Sequence, residues 1–290
     1  MEVGIIGLGI MGGAMARNLL TDGVEVIGYD VAPAASQRWE EAGGGLASSI
    51  AEVTTKAPVV VTSVATTKAF REVMESIAAS ASQGLIVLDA STMPLEEKEW
   101  AHGLLATSGV VLLDCPISGT GAQAEARDLV FLASGDSGAI ATVKPLLEML
   151  GRVVYDLGVF GSGSKMKFVA NLLVGIHNVA AAEAMVLAEK AGIEPRLVLE
   201  VLFDSAATSR MFQLRFPLMI ENRYSPPTAK VSMFVKDLDI IRAYAASVES
   251  PTPLLDVVAA LYDQAYAAGM ENLDAAAVCA VLETRAAITR

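Results

Sequence analysis

The sequence predicts an α/β chain in two parts: an N-terminal doubly wound parallel sheet over residues 1–160 and an all-α C-terminal domain over 192–290. One long connecting helix over 161–191 joins them. Three observations lead there. Short β-branched runs alternate with helical stretches through the first half, as parallel strands joined by crossover helices do. From Gly161 to Ala191 the chain reads GSGSKMKFVANLLVGIHNVAAAEAMVLAEKA, and Gly192 stops it, so a helix of roughly 25 residues is expected. Beyond Gly192 the strand signals end.

In chain order, Glu2–Gly7 (EVGIIG) is a short apolar run and reads as a buried strand. It feeds directly into Gly7-Leu8-Gly9-Ile10-Met11-Gly12, which opens the helical stretch MGGAMARNLLTDG. Val24–Tyr29 reads as the second strand and ends at Asp30. A glycine-rich turn alone is weak, but strand, GxGxxG, helix, second strand and closing acid together form the dinucleotide-binding pattern of a Rossmann unit. Gly7, Gly9 and Gly12 allow a tight turn, close approach to a pyrophosphate and close helix–strand packing. Ile10 and Met11 stand in the first helical turn, whose amides face the phosphates. Asp30 is expected to accept from the adenosine ribose hydroxyls. A carboxylate there repels a 2′-phosphate, and Val31 offers no cation for one, so NAD is favoured over NADP.

Further strands are expected at Val59–Val64, Leu85–Asp89, Val110–Cys115, Leu129–Ala133 and Arg152–Tyr155, with helices over Thr67–Ala81 and after Pro94. Ligands of such sheets sit beyond the carboxyl ends of the strands, so Val64, Ala65 and Thr66, and Ser91 and Thr92, should line the cofactor cleft. Each hydroxyl is equally explained as a helix N-cap. Asp114–Gly121 (DCPISGTG) reads as a strand turning into a flexible hydroxyl-bearing loop, suited either to an anionic group or to a structural turn.

The long stretch is apolar nearly all round, which implies burial between other elements. Its few polar groups therefore matter. Lys167 and Asn171 fall one turn apart on one helix face, where the lysine is either a proton carrier or a snorkelling charge. Helices follow at Pro195–Phe203, Met211–Glu221, Ala229–Val248, Pro253–Ala268 and Asn272–Arg285. Within them Lys236-Asp237 reads equally as a functional pair or a solvated face.

Bulk composition excludes several classes. Of 290 residues, 21 are basic and 33 acidic, a net charge of −12 that argues against nucleic acid. Two distant cysteines and two histidines disfavour a disulfide framework or a zinc site. The uncharged run Phe168–Ala182 is too short to span a bilayer, and the N-terminus lacks an export signal, so a cytoplasmic protein without a membrane partner is expected.

Four ordered motifs together carry a resemblance. GLGIMGGAMARNL, DCPISGTGA, the GxGxxxKxxxN pattern at Gly161, Gly163, Lys167 and Asn171, and KDL at Lys236–Leu238 are similar to the signatures of the β-hydroxyacid dehydrogenase family, along the whole chain. The resemblance implies Lys167 as general acid and base, with Asn171 positioning the substrate. It implies Ser118, Gly119 and neighbouring Thr120 in the loop that binds a small anionic substrate, and Thr92 and Lys236 at the nicotinamide end. A buried lysine has a lowered pKa and exchanges protons nearer neutrality, in agreement. Thr120 departs from the second loop glycine, Arg127 from a closing glycine, and Ala170 from an asparagine of the hydroxyisobutyrate branch. These departures bear on the substrate more than on the reaction. Lys167 speaks against the imine-reductase relatives, and no basic phosphate cluster supports 6-phosphogluconate decarboxylation. The alternative class is a dinucleotide-binding protein without turnover. Form alone suggests a homodimer or homotetramer.

Overall fold

A computed structural model describes residues 2–289, so the outermost ends of both expected domains, at residues 1 and 290, lie outside the described residues. The chain divides into two compact units, Met1–Lys167 and Phe168–Arg290.

The first unit begins with β1 (Val3–Ile6), α1 (Ile10–Thr21), β2 (Val26–Tyr29), α2 (Pro33–Glu41), β3 (Gly45–Leu46) and α3 (Ile50–Lys56). It continues through β4 (Val59–Thr62), α4 (Thr67–Ser80), β5 (Ile86–Asp89), α5 (Leu95–Thr107) and β6 (Val111–Asp114). These six strands form one parallel sheet in the order β3-β2-β1-β4-β5-β6. Alternation along each strand divides the core in two. Val3, Ile5, Val59, Val61, Leu88 and Leu113 face α1 and its neighbours. Ile6, Val60, Val87 and Leu112 face α3, α4 and α5. Helices on both faces are what a doubly wound sheet requires.

The unit ends with β7 (Ile117–Ser118), α6 (Gly121–Glu125), β8 (Leu129–Ala133), α7 (Ser137–Leu150) and β9 (Gly151–Asp156). Here the structure corrects the sequence reading. The runs at 129–133 and 152–155 do not extend the large sheet. They form a separate three-stranded sheet, β7-β8-β9, in which β7 and β8 are antiparallel. Cys115-Pro116 ends the β6 ladder, since proline has no amide to donate. The backbone exchange between Asp114 and Ser134 then links the two sheets.

Helix α8 (Ser162–Lys190) runs 29 residues. The expectation of all-round burial fails: Met166, Val169, Leu173 and Leu187 are exposed, while Lys167, Asn171 and Asn178 are buried. Phe168, Val179, Ala182 and Met185 are buried beside these polar groups, so the buried face of α8 is mixed and part of its apolar surface is left outside. By length and composition α8 is long and apolar enough to cross a membrane, unlike the shorter uncharged run within it. Its buried amides nevertheless bond protein partners, Asn171 to Asp237 and Asn178 to Tyr262.

The second unit adds α9 (Pro195–Leu202), α10 (Arg210–Ile220), α11 (Val231–Ser247), α12 (Pro253–Ala267) and α13 (Val278–Arg285). The helix expected from Asn272 starts later, after a 3₁₀ turn at Ala275–Ala277. Asp274 sets that start, because its carboxylate accepts from the Ala276 amide at 3.0 Å and from buried Arg215 and Thr228.

Candidate functional site

The glycine-rich turn joins β1 to α1, and its three glycines are required for three different reasons. Gly7 has φ +95°, and a Cβ there would lie 2.2 Å from the Ser63 carbonyl oxygen. A Cβ on Gly12 would lie 1.8 Å from the Gly7 oxygen. Around Gly9 there is nothing within 4 Å, and no side chain caps α1, whose first turn holds Ile10 and Met11. Two positions are closed by the protein and one is open above a helix N-terminus. That cradle fits a pyrophosphate.

Asp30 closes the same turn. Its Oδ2 accepts from the Leu8 amide at 2.7 Å and its Oδ1 from the Ala32 amide at 2.7 Å. Each oxygen retains a lone pair, so the carboxylate can shape the turn and still accept from a hydroxyl. This internal role was not visible in the sequence.

Strand order reverses between β1 and β4, and the parallel register brings Gly7, Asp30, Val64 and Thr92 beyond the carboxyl ends of β1, β2, β4 and β5. The half-buried Val64 donates its amide to Ser91 Oγ at 3.0 Å; Ala65 is exposed and Thr92 half-buried. Thr66 caps α4 by accepting from the Ala69 amide, so this hydroxyl is structural. Ser91 caps no helix and is buried against Asp89.

The loop expected to be flexible is an ordered strand and helix. Ser118 lies in β7 opposite Val130, half-buried. Gly119 follows at φ +150°, and the Thr120 amide is already committed to Gln123 Oε1 at 3.0 Å. Helix α6 is held to α1 by Asn18, which donates to the Ala124 carbonyl, by the Arg17–Glu125 ion pair, and by Arg127. Arg127 adopts φ +58°, the left-handed region that favours glycine, and its guanidinium grips Asp22 at 2.6 and 2.8 Å. Strain of about 1–2 kcal/mol is set against a partly exposed bidentate pair contributing about 1 kcal/mol or less. Arg127→Gly is therefore expected to move stability by less than about 1 kcal/mol in either direction in denaturant unfolding.

Lys167, 9% exposed, closes the first unit on α8. One turn further along the same helix, in the second unit, Asn171 is 6% exposed and donates its Nδ2 to Asp237 Oδ2 at 2.9 Å. Asp237 Oδ1 lies 3.1 Å from Lys236 Nζ. The side chains of Lys236 and Asp237 are only 24% and 15% exposed, so they do not form a solvated face. Because a carboxylate only accepts, Asp237 fixes which end of the Asn171 amide is turned away from it. The sequence reading took Lys236 from the KDL motif and missed this use of Asp237.

The chain matches two family models in succession. Residues 2–159 match the NAD binding domain of 6-phosphogluconate dehydrogenase, and residues 161–282 match a domain described as NAD-binding of NADP-dependent 3-hydroxyisobutyrate dehydrogenase. An L-threonate dehydrogenase of Cupriavidus necator is 34% identical over 96% of this chain and 94% of its own length. The chain belongs to the β-hydroxyacid dehydrogenase family. Among solved structures, a 3-hydroxyisobutyrate dehydrogenase of Salmonella typhimurium has a TM-score of 0.89 at 31% identity, covering 97% of this chain and 99% of its own. The Mycobacterium tuberculosis 3-hydroxyisobutyrate dehydrogenase, solved with L-serine, has a TM-score of 0.86 at 28% identity, covering 97% and 98%. A β-hydroxyacid dehydrogenase is an oxidoreductase with an NAD(P)-binding domain, and the glycine cradle of the first unit lies within the residues that match that domain. Among the described residues no group of three His, Cys, Asp or Glu side chains could hold a metal ion.

Proposed function

We propose that this dehydrogenase oxidises a short 3-hydroxy acid, or reduces the matching semialdehyde, with NAD, and that Lys167 carries the proton. The observation that bears most weight is the pair on α8: a buried lysine one turn before a buried asparagine whose amide Asp237 orients. In oxidation Lys167 Nζ takes the proton of the substrate hydroxyl, and in reduction it returns one to the carbonyl oxygen. Asn171 holds the substrate in register. Ser118 Oγ and the backbone at Gly119 and Thr120 are assigned to the substrate carboxylate. NAD, when bound, supplies the hydride acceptor.

Gly7, Gly9, Gly12, Ile10, Met11 and Asp30 are assigned to the dinucleotide, with Val64, Ala65, Thr92 and Lys236 toward its nicotinamide end. NAD is preferred on the strength of Asp30, whose carboxylate repels a 2′-phosphate. L-Threonate, 3-hydroxyisobutyrate and serine-like compounds, the molecules in its relatives' names, are the first substrates to try. We place the enzyme in the cytoplasm as a homodimer or homotetramer, with 192–290 serving substrate binding and assembly. Exposed Leu173 and Leu187 on α8 support an apolar contact between copies.

The test is absorbance at the reduced-nicotinamide band with NAD and with NADP, across a panel of 3-hydroxy acids. Turnover with NAD on one compound supports the reaction and the cofactor. A preference for NADP overturns the assignment of Asp30. Silence across the panel with dinucleotide binding intact favours the alternative, a binding protein without turnover.

A further inference from the structure

At the carboxyl ends of β5 and β6 lies a charged cluster that the proposed reaction does not use. Lys98 of α5 is fully buried, as are Asp89 and Asp114, which end those strands. Lys98 Nζ lies 3.0 Å from Asp114 Oδ1 and in a closer ion pair with Asp89 Oδ2.

Each aspartate then reaches a different place. Asp114 Oδ2 accepts from the Ser164 amide at 2.7 Å, and its Oδ1 accepts from Ser164 Oγ at 2.8 Å. Ser134 Oγ donates to Asp114 and accepts from the Gly163 amide at 3.0 Å. Gly163 has no Cβ because one would lie 2.2 Å from the Leu132 carbonyl oxygen. The first turn of α8 is thus clasped directly against β6 and β8, one turn before Lys167. On the other side, Asp89 Oδ1 accepts from Thr62 Oγ1 at 2.6 Å and Ser91 Oγ at 2.8 Å, and Ser91 Oγ in turn accepts from the Val64 amide.

Stability alone does not account for this arrangement. Starting a helix needs only a serine or threonine cap, and a buried ion cluster returns little net stability over apolar residues of equal size. What such a cluster supplies is one fixed geometry. One lysine faces two carboxylates, leaving an excess negative charge inside the protein. The amide end of α8 and the surrounding hydroxyl donors balance it. Burial alone would lower the Lys98 pKa, but Asp89 and Asp114 outweigh it and hold the ammonium above the ordinary lysine range.

We infer that Lys98 is a positioning residue with two arms: through Asp114 it fixes the start of α8 and hence the reach of Lys167, and through Asp89 it fixes the loop at Val64. The inference rests on the assignment of Lys167 as proton carrier and of Val64 to the cofactor. The two arms separate in the paired variants Asp114→Asn and Asp89→Asn. Either amide replaces an acceptor-only group with one that donates at one end, so one bond in its arm is lost.

The experiment measures three quantities on the full chain: backbone hydrogen exchange, turnover at saturating NAD, and NADH affinity. Asp114→Asn is expected to speed exchange at 163–167 and lower turnover by up to about 100-fold, the scale of a misplacement near 1 Å, with NADH affinity nearly unchanged. Asp89→Asn is expected to speed exchange around Val64 and weaken NADH, with turnover at saturation nearly kept. Should either variant fail to fold, Ser164→Ala and Thr62→Val remove one bond from each arm and are expected to show the same split in smaller measure. Equal losses of turnover and affinity in both arms, tracking thermal stability, would mean a structural cluster and overturn the inference. So would unchanged exchange at 163–167 in Asp114→Asn. If the wild-type protein turns over none of the panel, the functional reading fails, while the exchange data still decide whether Asp114 sets the helix start.

Discussion

Lys167→Ala is expected to lower turnover by about 100- to 10,000-fold, the range that a positioned acid or base contributes, while NADH affinity changes little. The side chain lies on α8 and not in the glycine turn proposed to take the dinucleotide phosphates, so its loss should fall on the chemical step. The bonds that hold the helix start to Asp114 come from Ser164 and stay in place in this variant. Steady-state kinetics beside an NADH titration check this directly. A parallel loss of turnover and affinity would make Lys167 a structural lysine.

The glycine turn gives the second large effect, and here two neighbouring substitutions should behave oppositely. Gly12→Ala places a methyl 1.8 Å from a backbone oxygen that has little freedom to yield. Stability should fall by about 3 kcal/mol, the upper end of overpacking costs, and dinucleotide binding should fall with it. Gly9→Ala meets nothing within 4 Å, and its φ of −67° suits alanine. Stability should hold or rise by up to about 1 kcal/mol, since alanine restricts the unfolded chain. Dinucleotide affinity should nevertheless drop at least about tenfold, the loss of one charge-assisted hydrogen bond, because the methyl occupies the ligand's space. Denaturant unfolding and NADH titration of both variants separate fold from site. Equal affinity in Gly9→Ala and wild type would remove Gly9 from the phosphate cradle.

Sequence made the sheet legible because its strands are short apolar runs with sharp ends. β1, β2, β4, β5, β6 and β8 lie within two residues of their expected limits, and all were visible without any long-range information. β3 and β7, two residues each, carry too little pattern to be seen, and α2 and α3 are short, nine and seven residues. The second sheet was misread for a topological reason: a strand's own sequence does not say which partner it takes.

The site was legible where its chemistry is local. Gly7 to Gly12 and the Lys167–Asn171 spacing are contiguous signals. Long-range partners were not. Lys98 sits among Glu96, Glu97 and Glu99 with no local signal for burial, although the chain folds it fully inside. Asp89 and Asp114 read as end residues of the expected strands Leu85–Asp89 and Val110–Cys115, with no partner indicated. Only the fold shows that one lysine holds both. Likewise Asn171 and Asp237 are 66 residues apart, and neither predicts the other.

The most direct measurement is chemical rescue of Lys167→Ala: turnover of the best 3-hydroxy acid with NAD as small primary amines are added. If Lys167 moves the proton, added amine should restore turnover to the variant, in proportion to its free-base concentration, and leave the wild-type protein unaffected. Retention of wild-type turnover by Lys167→Ala without amine would contradict the account outright.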